Sequence, residues 1–318
     1  MPALKKHSFY ATLAIGLAIC LPSMAAQPLP VVASFSILAD LVKVVGGERV
    51  TVTAMVGPDS DAHVFQPSPQ DAVRLSRAKL VVINGLSFEG WLQRLTESAQ
   101  YRGSVTVASD GVRARQHVHA QDEHDGHDAH DAHDAHAAAQ HTHADPHAWQ
   151  DPRNVITYVA NIAAALERID PAGAAVYRTN AGAYQARLRE LDAWAAGRFA
   201  TIPLARRRVI TAHAAFDYLG ARYQIRFDAL QSLSTDSEPS AGAMAAVVRR
   251  MRQDGTVAVF AENLHNARLL RQLAGEAGVT VGPKLYSDAL SDVRGPAPTY
   301  LALMRYNVAQ LVQAMQRP

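Results

Sequence analysis

Residues 31–56 read VVASFSILADLVKVVGGERVTVTAMV, and this stretch decides the fold. VVAS is a short apolar run with no polar face, the pattern of a strand buried on both sides. SILADLVKVVGG carries its apolar residues at helical spacing and stops at Gly46 and Gly47, where a helix C-terminus is expected. RVTVTAMVG returns to a β-rich run. Strand, helix and strand within so few residues form a βαβ unit, whose two strands run parallel.

The same alternation extends outward. SPQDAVRLSRA reads as a helix, LVVING (80–85) as a strand, FEGWLQRLTESA as a helix and SVTVAS as a strand. After a break near residue 112 a helix starts at Asp151, an N-cap residue type followed by Pro152 at the first helical position. A longer helical pattern covers 171–199, with Tyr177, Tyr184, Leu188, Leu191 and Trp194 at helical spacing. RRVITA (207–212), YQIRFDAL, TVAVFAE (256–262) and VTVGPKLY (279–286) then read as strands, separated by three more helical patterns. The expected class is α/β, with two halves that are each a mainly parallel sheet flanked by helices and a long helix between them. The expected division is 1–26 as a signal peptide, 27–170 as the N-terminal lobe, 171–199 as the linking helix and 200–318 as the C-terminal lobe.

The signal peptide rests on Lys5 and Lys6, the apolar run 9–21 and small residues before Ala25 and Ala26. The run is shorter than the roughly 20 residues a spanning helix needs, and no later stretch reaches that length. Cys20 follows Ile19, a poor residue before a lipid-attachment cysteine, so a soluble exported protein is expected. Removing 1–26 takes away two of 31 basic residues and no acid, leaving 29 of each sign. Neutrality removes the electrostatic case for nucleic-acid binding. Cys20 is the single cysteine, so the mature chain has no disulfide and no thiolate ligand, and a metal site must draw on His, Asp or Glu.

Histidine is concentrated in one place. Residues 124–136 read HDGHDAHDAHDAH inside a low-complexity segment, 115–143, that has too little apolar surface to offset the entropy of ordering it. Its nine histidines, His117, His119, His124, His127, His130, His133, His136, His141 and His143, are read as weak accessory metal ligands on a loop.

Four further residues recur near strand ends or beside this loop: His63, His147, His213 and Asp288. Open parallel sheets bind ligands beyond the carboxyl ends of their strands, and three imidazoles with one carboxylate suit tetrahedral zinc. Each also has a bland alternative. His63 suits a polar loop, His147 a turn packed on Trp149, His213 a hydrogen-bonded core position and Asp288 a helix cap. Spacing alone does not bring residues so distant in sequence together. Asp61, Asp151 and Glu262 lie near the ligand stretches and are weaker candidates for orienting them. Neither H-E-x-x-H nor G-x-S-x-G occurs, so no general base or nucleophile accompanies the four, and an enzyme is not expected.

The stretches DAHVFQPSPQD, DPHAWQDP, TAHAAFDYLGARY and YSDALS, with NGLSFEGWL (84–92) and VFAENLHNARLLRQLA (259–274), resemble the metal-binding solute-binding proteins of zinc and manganese ABC importers. The resemblance covers nearly all of the mature chain, in order. It implies two α/β lobes on a rigid long helix, a metal in the interlobe cleft, and His63, His147, His213 and Asp288 as its ligands. It further implies a periplasmic, monomeric carrier of Zn(II) as transported ligand, serving a membrane permease and loaded with or without a periplasmic metal donor. Manganese relatives typically carry glutamate where this chain has His213, and zinc relatives carry histidine and a His-rich loop. Manganese or nickel import, and a storage or adhesin role, are the alternatives. Several zinc relatives have a disulfide in the second lobe, and this mature chain departs from them in having no cysteine.

Overall fold

A computed structural model describes residues 27–118, 142–236, 241–253, 255–264 and 267–317. The signal-peptide reading therefore lies outside the described residues, as do His119, His124, His127, His130, His133, His136 and His141.

The opening stretch forms β1 (Leu29–Phe35), α1 (Ser36–Gly46) and β2 (Val50–Val56), with β1 and β2 parallel and Val31 opposite Val52. Helix α1 buries Ile37, Leu38, Leu41, Val42 and Val45, a single stripe at helical spacing. Each such burial contributes about 1.5–3 kcal/mol. Two glycines end the helix for different reasons. A Cβ on Gly46 would collide with the Val50 side chain, and Gly47 sits at φ +54°, which L side chains rarely adopt. Then follow α2 (Pro69–Ser76), β3 (Leu80–Ile83), α3 (Leu92–Ser98) and β4 (Ser104–Val107), giving a parallel sheet in the order β2-β1-β3-β4. Ser68 and Asp71 form a reciprocal capping box at the start of α2.

The ends of the His-rich segment depart from the expected loop. β5 (Gln116–Val118) and β6 (Thr142–Ala144) pair antiparallel, with His117 opposite His143. Alternation over three residues was too short to stand out beside the repeat. Helix α4 (Pro152–Ile169) starts as expected, with the Asp151 carboxylate accepting from the Arg153 N–H. The long helix α5 (Ala174–Ala200) follows a single 3-10 turn at Pro171–Gly173. At 1.5 Å per residue its 27 residues span about 40 Å. It buries Tyr177, Ala181, Tyr184, Leu188, Leu191, Asp192, Ala195 and Phe199. Trp194 lies beside this stripe, half-buried under the Arg305 guanidinium at 5.0 Å.

The second sheet comprises β7 (Arg208–His213), β8 (Arg226–Gln231), β9 (Ala258–Val259) and β10 (Thr280–Val281), all parallel, in the order β10-β9-β7-β8. Taken from the other edge this is the order of the first sheet. β9 and β10 are shorter than TVAVFAE and VTVGPKLY implied. Pro283 has no N–H to donate. The two segments nevertheless stay in line through a bridge between Glu262 and Leu285. Helices α6 (Asp217–Tyr223), α7 (Ala241–Gln253), α8 (Ala267–Ala277) and α9 (Tyr300–Gln316) complete the chain, and Thr299 caps α9 through the Ala302 N–H. No helix among the described residues is long and apolar enough to cross a membrane.

One continuous hydrophobic cluster runs from β1 and α1 through α4 and α5 to Phe216, Leu285 and α9. A separate smaller cluster joins Ile210, Val247, Val259 and Leu273 on the far side of the second sheet. Asp192 on α5 ties three helices. It accepts from Arg222 at 2.8 and 2.7 Å, from Tyr223 Oη at 3.0 Å and from Arg153 at 3.1 Å.

Candidate metal centre

His63, His147, His213 and Asp288 meet. One ligand atom from each falls within 4.8 Å of all the others, and this is the group that could hold a metal among the described residues. His213 is the last residue of β7 rather than a position beyond it. His63 and Asp288 lie on loops after β2 and β10, and His147 precedes the 3-10 turn Ala148–Gln150.

The separations set the chemistry. Asp288 oxygens lie 3.3 Å from His63 Nε2, 3.6 Å from His147 Nε2 and 3.0 Å from His213 Nε2, and the Nε2 atoms of His147 and His63 are 3.4 Å apart. Four ligands at 2.0–2.2 Å on a tetrahedron lie roughly 3.3–3.6 Å from one another. Three of these four separations fall in that range and the fourth, Asp288 to His213, is shorter, while all four ligand atoms lie within 4.8 Å of one another. The side chains of His147, His213 and Asp288 are 0% exposed and that of His63 is 7% exposed.

A buried carboxylate facing imidazoles perturbs both partners. Burial alone would raise the Asp288 carboxyl, but His213 and His147 opposite it hold it well below the usual carboxylate range. Burial alone would lower the His213 imidazole, but Glu262 and Asp288 outweigh it and hold the ring well above its ordinary value. The four segments place one carboxylate amid three nitrogen donors, an arrangement that a divalent cation suits.

The rings are aimed by further carboxylates. Glu262 Oε2 lies 2.7 Å from His213 Nδ1 while its Oε1 accepts the His213 backbone N–H at 3.0 Å. Asp145 Oδ1 lies 2.7 Å from His147 Nδ1 and accepts the His147 N–H at 2.9 Å. A carboxylate on Nδ1 fixes the proton there and leaves Nε2 bare for metal. Asp61 Oδ1 accepts the backbone N–H of His63 at 2.9 Å, so it orients the loop and not the ring. Asp151 caps α4 and is not among the groups aiming the rings. Asp145 is the orienting residue that the sequence reading missed. The signal was present, since Asp-x-His occurs at both Asp61–His63 and Asp145–His147, and both close the same short turn.

The described histidines of the His-rich segment stand apart from the four. His117 Nδ1 is 3.6 Å from Asp217, which raises the His117 pKa. His143 and His63 line one cavity of about 440 Å³, together with Phe88, Pro146, Ser232 and Asp236. The cluster is thus reached from outside on the His63 side.

Known proteins resemble this chain along most of its length. The family model described as ZnuA, zinc-uptake complex component A, periplasmic, matches residues 31–314. The manganese-binding lipoprotein MntA of Halalkalibacterium halodurans is 32% identical over 92% of this chain and 90% of its own length. The iron-binding protein YfeA of Yersinia pestis is 30% identical over 90% of this chain and 86% of its own. The solved structure of the periplasmic zinc-binding protein TroA from Treponema pallidum superposes with a TM-score of 0.80 at 25% identity, covering 91% of this chain and all of that one. A match of this extent makes the chain a member of the ZnuA family, the periplasmic metal-binding components of ABC importers, which are transport proteins and not enzymes.

Proposed function

We infer that this protein captures Zn(II) outside the cytoplasmic membrane and delivers it to the permease of an ABC importer. The observation that carries the reading is three imidazoles, two of them fully buried, and one buried carboxylate whose ligand atoms lie within 4.8 Å of one another. Nitrogen-rich tetrahedral sites favour zinc, whereas manganese prefers more oxygen ligands and a higher coordination number. Four protein ligands close the shell of a tetrahedral ion, which suits carriage. His63, His147, His213 and Asp288 are the ligands in this reading, with 27–170 and 200–318 as lobes on the helix 171–199. Residues 1–26 serve as an export signal, and the remaining histidines of 115–143 collect zinc weakly near the cavity that His143 and His63 share. Many weak sites close to a tight one raise the local supply of metal.

Manganese import by the same scaffold is the second reading, and the relatives named for manganese and iron favour it. The deciding experiment is a competitive titration of the mature protein with zinc and manganese, with residues 119–141 deleted and the strands on either side kept. One zinc held tightly and manganese held weakly is the expected result. Equal or tighter manganese binding overturns the zinc reading. Loss of all tight binding on deletion overturns the four-ligand site.

A further inference from the structure

The two halves of the chain are joined around the cluster in two different ways. On the buried side Trp149 Nε1 and Gln150 Nε2 both donate to the Ser287 carbonyl at 2.9 Å, and all three residues are fully buried. That tie fixes the segment of His147 against the segment of Asp288. On the outer side the loop 57–63 reaches across. The Asp59 carboxylate accepts from Asn263 Nδ2 at 3.0 Å and the Asp292 N–H at 3.1 Å, and the Asp59 N–H donates to the Leu290 carbonyl at 2.9 Å. Two residues on, Asp61 divides its carboxylate between the halves. Its Oδ1 holds the His63 N–H at 2.9 Å, and its Oδ2 accepts from Thr235 Oγ1 at 2.7 Å across 174 positions of sequence. His63 is the one ligand of the four with exposed surface, and it lines the cavity whose far wall is Ser232, Leu233 and Ser234.

We propose that Thr235 and Asp61 form a clasp that sets how fast the bound divalent cation leaves: Thr235 holds Asp61, Asp61 holds the backbone of His63, and His63 is the first ligand to detach. The proposal rests on the four-ligand reading above. The remaining three ligands are fully buried, and two of them have rings held by carboxylates, so release through them would break a buried ion pair or the Ser287 tie first. Release through His63 loosens a partly exposed loop, held beside the ligand by the Asp61 carboxylate and by Trp91 Nε1 on the Ala62 carbonyl at 3.1 Å. Thr235 is a positioning residue here, since it acts on the metal through Asp61.

The test is the rate of zinc release from the full mature chain to excess EDTA, measured by stopped flow for wild type, Thr235→Val and Thr235→Ser. Valine keeps the shape and removes the hydroxyl, and serine restores it. The expected result is release about tenfold faster for valine, the cost of one hydrogen bond to a charged group. Serine should match wild type in release rate, and all three proteins should bind one zinc per chain. One zinc per chain with the same release rate in the valine variant overturns the clasp. So does a serine variant as fast as valine, which would assign the effect to packing. A wild-type chain that retains no zinc overturns the four-ligand reading and the clasp with it.

Discussion

Replacing Glu262 by glutamine tests whether the site is built by its ligands alone. Glu262 is 1% exposed and offers one oxygen to the backbone N–H of His213 and the other to its Nδ1. Glutamine has nearly the same shape but only one acceptor. If its oxygen keeps the backbone N–H, its amide NH2 faces Nδ1, which must then be bare. The ring proton moves to Nε2, the atom that should bind metal. Recovering the binding tautomer leaves a buried N–H facing a donor, and it also forfeits the charge that strengthens the imidazole as a ligand. Loss of such an orienting partner weakens metal affinity about 10–100-fold, or about 1.4–2.8 kcal/mol. The assay is competition with a fluorescent chelator of known zinc affinity at neutral pH. Melting curves of the metal-free proteins would show that the fold survives. Asp145→Asn poses the same question at His147. Affinity within twofold of wild type for both variants would refute the idea that these carboxylates set the ligand atoms.

Further expectations follow from the same geometry. Against the opposing effect of burial, Glu262 and Asp288 push the His213 imidazole above its ordinary range, and the imidazoles facing Asp288 push its carboxyl below its own, so protons compete with metal for the ring nitrogens. Zinc affinity should therefore fall as pH falls, with proton release on binding visible by calorimetry in buffers of different ionisation enthalpy; an identical apparent enthalpy in all buffers counts against it. His213→Glu should move preference from zinc toward manganese in competition titrations, by adding an oxygen donor in place of imidazole, and unchanged selectivity would contradict the coordination argument. Asp192 is held below the usual carboxylate range: burial alone would raise it, but Arg222, Arg153 and Tyr223 outweigh that. A depressed folded pKa contributes stability above the unfolded value that is lost as pH falls. Asp192→Asn should thus cost about 2–3 kcal/mol at pH 7, read by denaturant unfolding, and the gap to wild type should shrink below about pH 4. A gap that does not vary with pH would mean that shape, not charge, holds those helices.

Much of this was legible in the sequence, for physical reasons that differ by element. Buried parallel strands such as Val31–Ser34 and Leu80–Val82 announce themselves as unbroken apolar runs, and α1 and α4 carry caps and stripes that leave little choice. β9 and β10 were overestimated because the apolar runs continue past the paired residues into segments interrupted by Gly282 and Pro283. The short pairing of His117 with His143 was hidden because low complexity masks a three-residue alternation. At the centre, the resemblance pointed to four residues that the fold brings together. The groups that orient them were harder to see. Glu262 stood out only as a charge at the end of an apolar run, and Asp145 only as half of a repeated Asp-x-His. Thr235 had no signal, because its meaning depends on a contact with Asp61 that topology alone creates.

Trp149 gives the protein an optical readout of its own cargo. Its indole is fully buried, and its ring centre lies 5.3 Å from that of His147. An ion held by the four residues would be bound by that imidazole. Zinc has a filled d shell and no redox chemistry, so it leaves indole emission unquenched. A paramagnetic ion with a partly filled shell quenches it at such short range. Trp194 lies elsewhere, under Arg305, and Trp91 packs on Phe65 while its Nε1 donates to the carbonyl of Ala62, next to His63. Replacing those two with phenylalanine would leave a single emitter beside the centre. The colourless and the paramagnetic candidates could then be told apart in real time, without label or separation, while the carrier is loading or emptying.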